Sequence, residues 1–223
     1  MTISLRPAVP ADAATLAEIN IKAFTGQGFI TNTFPGVPHA VIHELKVARY
    51  LKKIAHPQTH VIVAEDDASG ALVGCARWIF PAAADGNAEG NVKGAGDLVD
   101  EDSAEAARGA EDALPEGTNR GIYTGFFEIL KEKGKDYLRD DDVVLEFIAT
   151  LPQHQRQGIG KALLRWGIER AEAENRRIYL EATTEGLPAY ENSGWRALEQ
   201  VHIDYARWGG QGTQTLTLML RDP

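Results

Sequence analysis

The chain is poor in the features that mark secreted, membrane-spanning and metal-binding proteins. Cys75 is the one cysteine in 223 residues. An intrachain disulfide is therefore excluded, and a cysteine-based zinc site is disfavoured. No apolar run approaches the ~18 residues that a membrane helix needs, and no basic and apolar leader opens the chain. We therefore expect a cytosolic protein, found in the cytosol alone or also in the nucleus, that has no membrane partner.

Positive charge is also scarce. Lys and Arg number 23 against 32 Asp and Glu, and the net charge of −9 argues against a nucleic-acid partner. Residues 82–120 hold ten acidic and three basic side chains, a net of −7, and no aromatic residue. Such a segment cannot bury enough apolar surface to offset its ordering entropy, so we expect a flexible acidic insertion. It is either a tolerated surface insertion or an acidic lid that attracts a cationic acceptor.

The rest of the chain is predicted to form a single domain, 1–223, in which strands and helices are mixed. Short apolar runs predict strands, and helical spacing of apolar residues predicts helices. The predicted strands cover 3–8, 60–66, 71–80, 143–151, 177–183, 200–205 and 213–220. The predicted helices cover 12–24, with Asp12 as N-cap, 40–54, 121–138 and a segment that begins near Gly158.

The stretch 145–164 carries the clearest functional signal. An apolar strand ends at Pro152, a polar loop follows, and a helix begins at Gly158-Ile159-Gly160. The first N–H groups of a helix lack intrahelical partners, and the helix dipole is positive there, so this turn suits a phosphate. The spacing does not fit the Walker A pattern, because Gly158 and Gly160 are two apart and Ala162 follows Lys161, nor the Rossmann pattern, because position 163 is Leu. The alternative is a plain strand-turn-helix that binds no ligand.

The spacing Gln155-x-x-Gly158-x-Gly160 resembles the coenzyme A loop of the GNAT superfamily of N-acetyltransferases. Leu180-Glu181-Ala182 and the Tyr190 to Trp195 segment resemble the same family, most of all its small fungal-type members, although Trp195 stands where Phe is usual. The resemblance covers nearly the whole chain apart from residues 82–120. It implies the α/β (α+β) GNAT fold: a central, mixed, mostly antiparallel sheet flanked by helices, with a parallel strand pair at the coenzyme A site.

The resemblance implies an acetyl-CoA-dependent enzyme that needs no metal. The main chain of Ile148, Ala149 and Thr150 is expected to pair with the pantetheine of the acyl donor. The pyrophosphate is expected on the loop residues Gln155, Arg156, Gln157, Gly158, Ile159, Gly160 and Lys161. Tyr190 matches the family tyrosine that protonates the departing thiolate. The alternative for Tyr190 is a core aromatic that anchors a short helix.

Glu146 is the predicted general base, because no other residue of 143–151 is ionisable. Strand alternation would place it on one face with Val144, Ile148 and Thr150. Partial burial there would raise its pKa toward the range that suits a base. The alternative is a structural carboxylate paired with a basic side chain.

The acceptor is expected to be the primary amine of a small molecule, which attacks the thioester directly. Candidate acceptor-binding residues are Phe34, Trp78, Glu181 and Tyr205, and each of them also fits a place in the core. Two other functions stay open: an N-acetyltransferase for proteins or peptides, and a catalytically idle acyl-CoA-binding regulatory module. A monomer and a homodimer are both compatible with the sequence.

Overall fold

The computed structural model describes residues 2–24, 26–82 and 114–223 as a seven-stranded sheet between two layers of helices. The strands are β1 (Ile3–Pro7), β2 (Thr59–Asp66), β3 (Leu72–Ile79), β4 (Val143–Thr150), β5 (Ile178–Thr183), β6 (Arg196–Asp204) and β7 (Thr213–Arg221). The helices are α1 (Ala13–Phe24), α2 (Phe29–Thr33), α3 (His39–Ala55), α4 (Arg120–Gly134), α5 (Ile159–Ala173) and α6 (Leu187–Glu191). Short 3-10 turns cover Pro10–Asp12, Pro152–His154 and Tyr205–Trp208.

The sheet has the strand order β1-β2-β3-β4-β5-β7-β6. Strands β4 and β5 are parallel and every other neighbouring pair is antiparallel, which confirms the predicted mixed, mostly antiparallel sheet. Helices α5 and α6 cover one face, through a core that includes Leu163 and Tyr190. Helices α1, α3 and α4 cover the other face, where Leu16, Tyr50 and Phe126 are buried. The sheet therefore separates two helical layers, and a ligand on one face differs in its surroundings from a ligand on the other.

Strands β4 and β5 separate soon after they begin. Their pairing runs only from Val143–Ile178 to Leu145–Leu180, although β4 continues to Thr150. On its other side, β4 stays paired with β3 as far as Thr150. Past Leu145, the main-chain groups of β4 that face β5 therefore have no strand partner. The sheet is open at this point, and we call the gap the β4/β5 split.

A β-bulge in β4 sets which side chains face which helices. Phe147 pairs with Arg77 and Leu145 pairs with Trp78, so Glu146 is the extra residue between them. Glu146 and Phe147 consequently face the same side, toward α3, while Ile148 packs with the core under α5. The predicted strict alternation, which placed Ile148 on the face of Glu146, is wrong because the bulge interrupts the period of two.

Several sequence predictions end at slightly different residues in the structure. Asp12 does not cap α1; its carboxylate accepts from the backbone N–H of Val9 and forms an ion pair with Arg6.

Residues 83–113, most of the predicted acidic insertion, lie outside the described residues. The packed domain resumes at Leu114, which is buried among Ile42 and other apolar side chains, so the last seven residues of the range 82–120 belong to the fold.

Within the described residues, no helix is both long enough and apolar enough to span a membrane. Within 2–24, 26–82 and 114–223, His, Cys, Asp and Glu side chains do not gather in the groups of three that a metal site would need. Cys75 is a buried free thiol, and burial raises its pKa to about 12.

Candidate active site

The loop between β4 and α5 presents an open helix end. Gly158 precedes the helix with φ of 85°, a left-handed conformation that suits glycine, and Arg156 also has a positive φ of 61°. The side-chain amide of Gln155 donates to the carbonyl of Thr150 at 3.2 Å and ties the loop to the end of β4. Ile159 anchors the other end because it is 2 % exposed in the core under α5. The loop is thus held at both ends and exposed between them.

This loop fits a phosphate group on local geometry alone. The first-turn N–H groups of α5 have no intrahelical partner, and the helix dipole favours an anion there. A Cβ atom at Gly158 or Gly160 would meet nothing within 4 Å, so the space above the loop is open. Arg156 and Lys161 are exposed beside it. The predicted pyrophosphate residues are therefore brought together, and the split leads directly from them into the sheet.

Glu146 is held by two basic side chains. Its Oε1 atom accepts from the Nζ of Lys53 on α3 at 2.9 Å, and its Oε2 accepts from the Nε of Arg77 on β3 at 2.5 Å. Burial by itself would raise the pKa of Glu146, but Arg77 and Lys53 outweigh it and hold the pKa below its ordinary value. The predicted rise of this pKa is wrong in direction. The arrangement matches the alternative of a structural carboxylate paired with basic side chains.

Glu181 has the opposite surroundings. It is the first residue of β5 beyond the last pair with β4, as Glu146 is on β4, and both lie on the face covered by α3 and α4. Its one hydrogen bond within the described part of the chain comes from the hydroxyl of Tyr179 at 3.3 Å. Burial raises the pKa of Glu181 to about 7, the Tyr179 hydroxyl opposes the rise, and the charge of Glu146 adds to it. This carboxylate can therefore exchange a proton near neutral pH.

Tyr190 lies on the opposite face of the sheet from Glu181, on α6. Its ring is 9 % exposed and packs edge-on against Trp195, with centroids 5.9 Å apart. Its hydroxyl makes no hydrogen bond to the described residues, and burial raises its pKa, so the phenol is protonated at neutral pH. The ring thus fills the core, as one interpretation of the sequence predicts, while the hydroxyl is unpaired as far as the described ranges show.

Three of the four predicted acceptor-binding residues are core residues in the structure. Trp78 is 0 % exposed under α5, on the face opposite Glu146, where it fills the space left by Gly167. Tyr205 is 1 % exposed and donates to Gln214. Phe34 is 6 % exposed and packs between α2 and α3. Only Glu181 of that set lies at the split.

A model of the Acetyltransferase (GNAT) family matches residues 29–195, most of the chain and the whole of this site. The chain belongs to the GNAT family. It is accordingly an acyltransferase, and the fold that it shares with the family is one that binds acetyl-CoA.

Similar proteins agree with this membership. A curated acetyltransferase from Stachybotrys chartarum is 26% identical over 206 residues, 90% of this chain and 83% of that protein. A mosquito arylalkylamine N-acetyltransferase (like 5b) has a TM-score of 0.65 at 15% identity, and a Drosophila melanogaster polyamine N-acetyltransferase that forms N-acetylagmatine has 0.64 at 13%; both are covered completely, as is this chain. The PaiA N-acetyltransferase from Thermoplasma acidophilum, solved with coenzyme A, has 0.53 at 13%, again with full coverage of both chains. At these identities the structures show a common fold.

Basic residues on α3 were missed by the sequence analysis. In this GNAT protein Lys46, Arg49 and Lys53 follow one another at helical spacing and lie on the side of α3 that faces the split. Arg49 donates to the Tyr123 hydroxyl at 3.0 Å, which ties α3 to α4. The spacing i, i+3, i+7 is visible in the sequence and would have identified this row, had α3 been known to border the site.

Proposed function

We propose that the protein transfers the acetyl group of acetyl-CoA to the primary amine of a small molecule, by direct attack of the amine on the thioester. The observation that carries the proposal is the β4/β5 split. The exposed N-terminal end of α5 follows the end of β4, Glu181 is the first residue of β5 past the last β4–β5 pair, and Tyr190 belongs to the core on the opposite face of the sheet. This arrangement supports a donor site at the loop, a base at Glu181 and an acid at Tyr190.

The donor end rests on the loop and on the free edge of β4. Main-chain groups of Gln157 to Lys161 would hold the pyrophosphate, and Arg156 and Lys161 would add positive charge. The free edge of Ile148 to Thr150 would bind the pantetheine as a strand binds its neighbour. Bound in this way, acetyl-CoA supplies an acetyl group on a thioester next to the two carboxylates.

For the base we favour Glu181 over Glu146. An attacking amine must lose a proton, and a base works best when its pKa lies near the working pH. The carboxylate of Glu146 already forms ion pairs with Lys53 and Arg77. Glu181, by contrast, accepts only a long hydrogen bond from Tyr179 and has a pKa of about 7. Two carboxylates whose surroundings separate their pKa values commonly divide their roles in this way. Glu146 would then hold the two cations in position at the edge of the acceptor site.

For the acid we propose Tyr190. Its hydroxyl carries a proton at neutral pH and has no partner among the described residues, so it is available to the leaving thiolate. The acid and the base then act from opposite faces of the sheet through the same split. Neither needs to move past the other during the reaction.

The test is release of free thiol from acetyl-CoA over a panel of arylamines, polyamines, amino acids and peptides, with the product identified by mass spectrometry. Acetylation of at least one small amine, abolished in the double variant Glu181→Gln/Tyr190→Phe, is the expected result. If acetyl-CoA binds but no acceptor is turned over, the protein is an acyl-CoA-binding module. Acetylation of peptides alone would assign the acceptor to the protein class.

A further inference from the structure

Positive charge is concentrated beside the split, although the chain as a whole is strongly acidic. Lys46, Arg49 and Lys53 line one side of α3, and Arg77 reaches the same region from β3. Glu146 is the one carboxylate in the described residues that forms an ion pair with any of these four. In this part of the chain, basic side chains therefore outnumber the carboxylates that pair with them.

The hydrogen bonds and ion pairs within the described residues neutralise only part of this positive charge. Lys53 and Arg77 share the Glu146 carboxylate. Arg49 bonds to a neutral phenol: it donates to the Tyr123 hydroxyl, and its guanidinium carbon lies 5.2 Å from the centre of that ring. Lys46 is partly buried and forms no hydrogen bond or ion pair with the residues that the structure describes. Among residues 2–24, 26–82 and 114–223, Arg49 and Lys46, one turn apart on α3, thus have no anionic partner.

Such an arrangement is costly unless an anion completes it. A buried cation is destabilised by lost hydration, and neighbouring cations add to the cost. The pKa of Lys46 reflects both effects, since burial, Arg49 and Arg77 lower it to about 7. An anion bound between Lys46 and Arg49 would restore the charge of the lysine and receive a planar, forked donor from the arginine.

We propose that Lys46 and Arg49 bind an anionic group, a carboxylate or a phosphate, carried by the acceptor molecule. The inference rests on the proposed function and narrows its acceptor to amines that also bear negative charge, such as amino acids or phosphorylated amines. The amine of such a molecule would lie toward Glu181 and its anionic group toward α3. A polyamine, by contrast, would bring further positive charge to a surface that already has an excess.

The experiment compares acceptors that differ only in the anionic group. The pairs are tyrosine and tyramine, arginine and agmatine, and phosphoethanolamine and ethanolamine, with kcat/KM measured for each. We expect the anionic member to be preferred in at least one pair by tenfold or more, and the preferred pair tells carboxylate from phosphate. Lys46→Met and Arg49→Met should remove that preference while leaving the uncharged partner unchanged, and the matched control Lys52→Met, at an exposed position of α3, should have no effect.

Binding supplies a readout that needs no turnover. Calorimetry with the N-acetylated members of the same pairs should show the anionic one bound at least tenfold more tightly, and Lys46→Met should abolish the difference. Preference for the uncharged or cationic member in every pair, or an equal loss for both members in the variants, overturns the inference. Loss of acetyl-CoA affinity in Lys46→Met would overturn it as well, because the row would then serve the donor. If no amine is acetylated but the anionic products still bind selectively, the proposed reaction fails and the anion site stands.

Discussion

Glu146 and Glu181 occupy equivalent positions on two neighbouring parallel strands, because each is the first residue beyond the last β4–β5 pair, Leu145–Leu180. The charges around the two carboxylates nevertheless differ. Two cations hold Glu146 and lower its pKa. Glu181 has only the hydroxyl of Tyr179 and the nearby charge of Glu146, and its pKa is about 7. Burial is the main cause of the raised pKa of Glu181, and the ionised form of Glu146 adds to it. Glu181 is thereby a proton acceptor near neutral pH.

Glu181→Gln should lower kcat by about 10²-fold or more at pH 7, the lower range for loss of a general base. In the unaltered protein, kcat should rise with pH around 7, since the carboxylate must lose its proton before it can accept one from the amine. The variant should lack this rise. The measurement is a pH–rate profile under saturating acetyl-CoA, with Glu146→Gln as the matched amide variant. A rise near pH 7 that survives in Glu181→Gln and disappears in Glu146→Gln would return the role of base to Glu146.

Ionisation of the buried Glu181 carboxylate should lower the free energy of unfolding above neutral pH. The folded state holds the Glu181 proton more tightly than the unfolded state, whose pKa is near 4.5, so stability falls as pH rises from about 4.5 to about 7. The difference corresponds to about 3 kcal/mol. The free energy of unfolding of Glu181→Gln, relative to that of the unaltered protein, should therefore increase by up to that amount from pH 5 to pH 8. Urea unfolding at both pH values measures it. An equal effect of the substitution at both would show that Glu181 is not perturbed by burial.

Gly160→Val should weaken acetyl-CoA binding by at least tenfold, about 1.4 kcal/mol, and leave the fold intact. The new side chain would enter open space above the loop, where no protein atom lies within 4 Å of the added Cβ. Only a ligand there would be displaced. Calorimetry measures the affinity, and thermal unfolding checks the fold. Gly158→Val is the weaker test because its φ of 85° adds backbone strain. Unchanged acetyl-CoA affinity in a folded Gly160→Val variant would show that acetyl-CoA does not bind at this loop.

Tyr190→Phe should lower turnover by roughly 10²-fold and change acetyl-CoA affinity by no more than a few-fold. The ring that packs against Trp195 is kept, and the hydroxyl that is lost has no hydrogen-bond partner in the described residues. The melting temperature should therefore not fall. Tyr137→Phe, which removes the phenol that donates to Glu199, away from the split, is the control and should retain full turnover. Full activity in Tyr190→Phe would make this tyrosine a core residue and assign the acid to another group.

Asp142→Asn should destabilise the protein by about 3 kcal/mol, the range for breaking a buried ion pair. Asp142 is 1 % exposed and receives two hydrogen bonds from Arg177, at 2.8 and 2.6 Å, just before β4 and β5 begin. Glu169→Gln breaks an exposed pair with Arg165 on α5 and should change stability by less than about 1 kcal/mol. Denaturant unfolding of both variants gives the comparison. Similar values for the two would mean that the Asp142 pair is no stronger than a surface pair.

The elements and the donor loop were predictable because their signals are local. Apolar spacing in 121–138 predicted α4, and the Gln155-x-x-Gly158-x-Gly160 spacing predicted the helix end that the structure contains. Strand β6 begins four residues earlier than predicted, because polar residues such as Glu199 alternate along an edge strand that is only partly covered. Local patterns describe what a segment forms when its neighbours do not intervene.

The division of labour between the carboxylates was not predictable, because it depends on contacts across the fold. Glu146 could be identified as the ionisable residue of its strand, but its two cations come from α3 and β3, 93 and 69 residues away along the chain. The bulge that turns it toward them follows from the register between β3 and β4, which one strand alone does not reveal. The sequence makes Trp78 a candidate acceptor-binding residue. Only its position against Gly167 in the folded protein shows that it fills the core.

The early separation of β4 from β5 also divides the sheet mechanically. Three residue pairs join the half formed by β1 to β4 to the half formed by β5, β7 and β6. A molecule bound in the split would add main-chain hydrogen bonds to that seam and couple the two halves during unfolding. We therefore expect acetyl-CoA to slow amide hydrogen exchange at Ile148 to Thr150 most strongly, and to sharpen the thermal transition as well as raise it. The donor would act as a temporary strand that completes the architecture of the enzyme.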